Sequence, residues 1–196
     1  MEKNLKTMSG RKNAFESLTK SIVFKNRILI IGCGSIGTAL IPLLIKFIVM
    51  APSNIIVCDK NANRFAKIFQ FISLGVKIKH IKITKDNISS LIINELGFGQ
   101  DDIIIDASYE INTEYMFSLC ESAGISYINS SVEIWEKEPE MKDVDYTFYN
   151  RFKNMENKNR QNSKKTNNFI VSLGCNPGNV NIWSLYALDK INKKKK

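Results

Sequence analysis

Glu133 stands in the stretch NSSVEIWEKEPE (residues 129–140), two residues before Trp135 and ahead of Glu136, Glu138 and Glu140. A carboxylate that loses water in a cleft pairs with a cationic amine, and an indole face adds a cation–π contact. Glu136, Glu138 and Glu140 read as a solvated acidic loop. Glu133, placed directly after a strand, reads as the functional acid. Asn176 lies in GCNPGNV (174–180), where its amide could hydrogen-bond a ligand or form an Asx turn before Pro177, which itself suits the first turn of a helix. Spacing leaves both open. His80 is the sole histidine, so no Ser/His/Asp or Cys/His nucleophile set is available, and His80 itself reads as an edge or core residue of a strand.

A second group acts by lacking side chains. IIGCGSIG (30–37) sets Gly32, Gly34 and Gly37 in a Gly-x-Gly-x-x-Gly spacing between two apolar runs. Gly32 permits a tight turn, Gly34 lets the backbone approach a pyrophosphate, and Gly37 lets a helix pack close to the preceding strand. Ser35, Ile36 and Gly37 then open a helix whose free N–H groups and dipole face the anion. Asp59 ends the next apolar run, 22 residues after Gly37. That is close to the separation expected of the acid that binds a ribose 2′-hydroxyl, and its charge disfavours a 2′-phosphate, so NAD is preferred to NADP.

The elements that must position these residues alternate. RILII (27–31) predicts a buried strand, and a helix follows from Ser35 to Val49, with Pro42 kinking it or loosening a turn. NIIVCD (54–59), VKIKHIKI (76–83), DDIIIDAS (101–108), ISYINS (125–130) and NFIVSLG (168–174) predict five more strands. Between them, helices are expected over 62–75 (ended by Gly75), 85–96 (with Asp86 as N-cap), 112–124 and 145–162, and a last one over 179–191. Strands separated by crossover helices mean an α/β fold with a Rossmann-type, doubly wound parallel sheet. Such sheets bind ligands at the carboxyl ends of their strands. Ala107 and Ser108, after the fourth strand, are placed to line the nicotinamide-ribose side, Asp106 to cap or close that strand, and Glu133 and Asn176 follow the fifth and sixth.

Composition narrows the class. The 196 residues are 44% hydrophobic and 24% charged, enough for one α/β domain with a real core. We divide them into a polar leader (1–24), a dinucleotide-binding domain (25–192) and a basic tail (193–196). No apolar run reaches membrane-spanning length, since ALIPLLIKFIVMA is interrupted by Lys46, and the leader has no apolar signal core. The four cysteines are far apart, with no CxxC pair or neighbouring histidine, so metal is not expected and reduced, buried thiols of a cytoplasmic protein are. A formal charge of +9 attracts polyanions, but the lysines are dispersed and no nucleic-acid-binding signature accompanies them, so no specific nucleic-acid partner is expected.

RILIIGCGSIGTALIPLLI, YINSSVEIW and SLGCNPGNV, in this order and at these distances, resemble the amino-terminal half of bacterial-type homospermidine synthases, which share their Rossmann domain with saccharopine dehydrogenases. The likeness runs from about Lys25 to Leu188, and its Val-Glu-x-Trp segment is the most discriminating. It implies a redox-neutral amine transfer. Bound NAD⁺ takes hydride from one putrescine, ammonia leaves the imine, a second putrescine adds, and the retained NADH reduces the new imine. It also implies that Glu133 holds a substrate ammonium and that Asn176 lies by nicotinamide and substrate. Members of that family are more than twice this length, so the chain is expected to be truncated before most of a second substrate domain. In that family the second half supplies the rest of the substrate pocket, including an aromatic wall for the cation. Here the resemblance implies that it would come from a separately encoded half, and a homodimer is the other partner chain open to it. Two further readings stand beside this one: a non-catalytic NAD-binding fragment, and a saccharopine or carboxynorspermidine dehydrogenase-like oxidoreductase, which would need groups for a substrate carboxylate.

Overall fold

A computed structural model describes residues 22–109, 111–135, 147–161, 167–174, 184–188 and 191. The chain divides into two compact units, Met1–Lys82 and Ile83–Lys196, each carrying three parallel strands. Two three-stranded halves with helical crossovers are how a Rossmann-type, doubly wound α/β fold is built.

In the first unit β1 (Ile28–Ile31), α1 (Ser35–Phe47), β2 (Ile55–Asp59), α2 (Phe69–Ser73) and β3 (Lys77–His80) follow in order. β2 lies between its two neighbours, with Ile28 opposite Ile55 and Ile56 opposite Lys77. Every residue of β1 and β2 is buried, as expected of strands covered on both faces. β3 is the outer strand and is mostly exposed; His80 sits on it in the open, its Nε2 3.1 Å from the Lys60 carbonyl. Lysines at 77 and 79 and His80 keep this edge polar, which discourages strand addition. α1 runs through Pro42 and stops at Phe47, two residues short of the predicted end.

In the second unit the order is β4 (Ile103–Asp106), α3 (Thr113–Ala123), β5 (Ser126–Asn129), α4 (Phe148–Gln161) and β6 (Phe169–Ile170). β5 lies between β4 and β6, with Ile103 opposite Ser126 and Tyr127 opposite Phe169. α3 has the boundaries its sequence dictates. Asn112 caps it, its Oδ1 accepting the Tyr115 N–H at 2.8 Å, and Gly124 ends it at φ +72°, where its own N–H reaches the last carbonyls. Phe117, Val132 and Met155 form a core onto which Phe169 and Val171 pack, the Phe117 and Phe169 rings stacking at 3.9 Å.

Two expected helices take other forms. The segment predicted as a helix over 62–75 is a 3-10 helix at Ala62–Ile68 followed by the short α2. Here Asp59 accepts the Asn61 N–H at 2.7 Å and Asn61 accepts the Asn63 N–H at 3.0 Å, and these short-range bonds tighten the winding. Within 85–96 the chain forms a turn and then a π-helix at Ser90–Glu95, closed by the Leu96 N–H on the Leu91 carbonyl. Asp86 is not the cap there: the Thr84 carbonyl accepts from Asn87 and Ile88, and Asn87 returns its Oδ1 to the Thr84 N–H at 2.8 Å. The final helix expected over 179–191 shows helical turns at 184–188; the rest lies outside the described residues. No helix among the described residues is long and apolar enough to cross a membrane.

Candidate functional site

The glycine turn is shaped by steric need at two of its three glycines. Gly32 has φ +98°, a backbone that side-chain-bearing residues rarely adopt. A Cβ on Gly37 would stand 1.8 Å from the Gly32 carbonyl oxygen and 3.0 Å from its carbon, so only hydrogen fits where α1 meets the turn. Gly34 differs: it is the N-cap of α1, and a Cβ there would meet nothing within 4 Å. No side chain caps this helix and no acid occupies its first turn. The N–H groups at Ser35, Ile36 and Gly37 are therefore left for an anion, with open space above Gly34 for a phosphate oxygen. The turn fits a dinucleotide.

Asp59 does more at the end of β2 than its position alone conveys. Its Oδ2 accepts the Cys33 N–H, inside the glycine turn, at 2.6 Å and lies 3.1 Å from Arg64 Nη1. Burial alone would raise this carboxyl, but the Asn61 and Cys33 N–H groups and the Arg64 guanidinium outweigh it and hold it below the ordinary range. Burial pushes the Cys33 thiol up, so it is packing rather than a nucleophile. Cys58 and Cys120 are likewise buried, and Cys175 lies outside the described residues.

In the second unit a chain of buried polar groups runs along the carboxyl ends of β4 and β5. Asp106 Oδ1 accepts the Ser108 N–H at 3.0 Å and its hydroxyl at 2.6 Å, while Oδ2 accepts the Tyr127 hydroxyl at 2.9 Å. Asn129 Nδ2 donates to the Tyr127 oxygen and to Thr113 Oγ1, each at 3.2 Å, and its Oδ1 accepts the Ser172 N–H at 3.0 Å. Thr113 in turn meets Glu133: its N–H donates to the Glu133 carbonyl and its Oγ1 accepts the Glu133 N–H, both at 2.9 Å. The Glu133 carboxylate stays partly exposed, at 20%. Ser131 donates its hydroxyl to Oε1, and Arg151 Nη1, from α4, stands 4.0 Å from Oε2. Trp135 lies edge-on to Tyr115 with ring centres 6.3 Å apart.

Burial pushes the Asp106 carboxyl up, more than its bonds from Ser108 and Tyr127 pull it down. Folding therefore strengthens its hold on a proton. Its contribution to stability is fullest in acid and falls as pH rises from about 4 through the raised value. Asp106→Asn should flatten this part of the stability curve. Urea unfolding at several pH values between about 4 and 8 checks it, and an unchanged slope contradicts the assignment.

The structure thus groups Gly32, Gly34, Ser35, Ile36, Gly37 and Asp59 in the first unit, and Ala107, Ser108 and Glu133 in the second. Asp106, expected to close its strand, is a buried acceptor for Ser108 and Tyr127. Asn176, Glu136, Glu138 and Glu140 lie outside the described residues. Sequence reading overlooked Arg64, Thr113, Tyr127, Asn129 and Arg151. A tyrosine and an asparagine inside the apolar run ISYIN were the one visible hint, since buried polar groups need partners. No cluster of metal-binding side chains occurs among the described residues.

Residues 28–183 match the family model described as the saccharopine dehydrogenase NADP binding domain. Among solved structures the chain is similar to the homospermidine synthase of Legionella pneumophila in complex with NAD, at 28% identity and TM-score 0.71. That match covers 90% of this chain and 35% of the other, so the chain spans about a third of that enzyme's length. Two further structures are a short chain alcohol dehydrogenase from E. coli CFT073 complexed with NADH and the galactitol-1-phosphate dehydrogenase of Escherichia coli. Both are 15% identical over 81% of this chain; the first match covers 40% of its structure at TM-score 0.40, the second 39% at 0.38. No curated protein matches the sequence.

Proposed function

Because this chain belongs to the saccharopine dehydrogenase NADP-binding domain family, we propose that it serves a homospermidine-synthase-like enzyme, holding NAD in its glycine turn and a cationic diamine at Glu133. The observation that carries the proposal is Glu133 itself. Its carboxylate follows the carboxyl end of β5, remains partly exposed, and already faces one cation, Arg151, at 4.0 Å. The likeness to a homospermidine synthase in complex with NAD supports both halves of the reading.

NAD, when bound, supplies a hydride acceptor that becomes a donor later in the same cycle, which suits transfer of an aminobutyl group between putrescine molecules with no net oxidation. The residues of this chain bind and orient. The N–H groups at Ser35, Ile36 and Gly37 hold the pyrophosphate, and Asp59 takes the adenosine ribose. Ala107 and Ser108 line the nicotinamide-ribose side, Glu133 holds the ammonium beside Trp135, and Asn176 orients nicotinamide and substrate. A separately encoded second half, or a homodimer, would complete the amine pocket.

Arg151 supports a second reading. A guanidinium and a carboxylate side by side could take both ends of an amino acid, as a saccharopine or carboxynorspermidine dehydrogenase-like enzyme requires. A third reading is an NAD-binding fragment with no catalysis of its own. Isotopically labelled putrescine and, in parallel, a labelled carboxylate-bearing amine, each supplied with NAD to the chain alone and with the second half of a homospermidine synthase, distinguish them by product mass. Labelled homospermidine supports the first reading, conversion only of a carboxylate-bearing amine the second, and no product the third.

Cofactor choice gives a separate prediction. Asp59 should make NAD bind more tightly than NADP, by about tenfold or more. Asp59→Asn should narrow that gap, since it removes the repelling charge and leaves the half-exposed Arg64 for a 2′-phosphate. Titration of each dinucleotide by tryptophan emission or calorimetry checks it, and equal affinity in the unaltered chain would overturn the role of Asp59.

A further inference from the structure

We infer that Thr113, the first residue of α3, is the positioning residue that sets the Glu133 carboxylate for amine recognition; this rests on the reading of Glu133 above. An N-terminal threonine on a helix ordinarily serves as its cap. Here that duty belongs to Asn112, which already takes the Tyr115 N–H. Thr113 is 1% exposed, and its hydroxyl is used elsewhere. It accepts the Glu133 N–H at 2.9 Å and the Asn129 Nδ2 at 3.2 Å, and donates to the Ser131 carbonyl at 3.4 Å. That exhausts its one proton and two lone pairs. Meanwhile the Thr113 N–H, one of the donors that a helix start leaves without an internal partner, goes to the Glu133 carbonyl at 2.9 Å.

Glu133 is therefore held on both sides of its main chain by one residue, and its side chain is aimed by Ser131, whose carbonyl the same threonine hydroxyl takes. The clamp is anchored in turn. Asn129 uses both amide hydrogens on Thr113 and Tyr127, and Tyr127 donates to Asp106, so the network reaches the end of β4 without a break. The result is a loop residue whose backbone is as fixed as a strand while its carboxylate stays partly in water. A recognition group needs that combination, because each degree of freedom left to the carboxylate is lost again on binding.

The test compares Thr113→Val, which keeps the shape and removes the hydroxyl, with Thr113→Ser, which keeps the hydroxyl. Putrescine is titrated by calorimetry into the full chain with NAD at saturation. Thr113→Val should bind about tenfold more weakly, the effect of losing roughly one hydrogen bond's worth of placement, and Thr113→Ser should restore most of the affinity. NAD affinity should stay as it was in both. Amide exchange of Glu133 in the unaltered chain gives a readout that needs no variant: slow exchange is expected, and exchange at the rate of a free loop amide overturns the clamp even if Thr113→Val fails to fold. If Glu133→Gln abolishes putrescine binding while Thr113→Val binds as tightly as the parent, the inference is wrong and the reading of Glu133 stands. If the chain binds no putrescine even with the second half of a homospermidine synthase added, both are wrong.

Discussion

Replacing Gly37 with alanine should cost the protein about 3 kcal/mol or more and abolish dinucleotide binding, whereas Gly34→Val should leave stability nearly unchanged and still abolish binding. The contrast follows from what each added carbon meets. At Gly37 it would lie 1.8 Å from the Gly32 oxygen, a backbone atom with no rotamer to escape into, so α1 must move off the strand or the turn must open. At Gly34 the added carbon meets nothing within 4 Å, and φ −76° is open to any residue. The bulk at Gly34 would occupy only the space that the account gives to a pyrophosphate. Thermal unfolding and NAD titration on both variants check the pair. A Gly34→Val chain that binds NAD as the parent does would remove the turn from the cofactor site, and a fully stable Gly37→Ala chain would contradict the packing.

Glu133→Gln should weaken putrescine binding by on the order of 2–5 kcal/mol, the usual result of removing one partner from a largely desolvated charge pair. Glutamine keeps the shape and can still accept from Ser131, so the loss isolates charge. Glu138→Gln, in the acidic run that follows in the sequence, should change binding by only about 0–1 kcal/mol. Arg151 gives the sign of a third variant. It stands 4.0 Å from the Glu133 carboxylate, so an incoming ammonium competes with it, and Arg151→Gln should tighten diamine binding. A diamine titration on the three variants at fixed NAD decides. Equal losses for Glu133→Gln and Glu138→Gln would reduce the site to a diffuse acidic loop.

The parts of this molecule that were legible in its sequence are those set by neighbours along the chain. Apolar runs marked β1, β2 and β4, the spacing of Gly32, Gly34 and Gly37 marked the turn, and Asn112 and Gly124 marked the ends of α3. The 3-10 winding after β2 was not legible, because it depends on Asp59 and Asn61 turning their side chains back onto the backbone in place of the helical pattern. The clamp on Glu133 was hidden for another reason. Thr113 and Asn129 are 16 residues apart and Tyr127 and Asp106 are 21 apart, so these contacts exist only once α3 has packed beside β5. Arg151 reaches the same carboxylate from α4, across a stretch whose polar residues carry no periodicity that would announce it. Sequence located the acid; folding supplied what holds and faces it.

In a crystal of the chain grown with NAD and putrescine, the NAD pyrophosphate should lie over Gly34 on the N–H groups that open α1, and a putrescine ammonium within about 3 Å of the Glu133 carboxylate, displacing Arg151. A putrescine bound away from Glu133, or a Glu133 still facing Arg151 with no amine beside it at saturating putrescine, would contradict that placement.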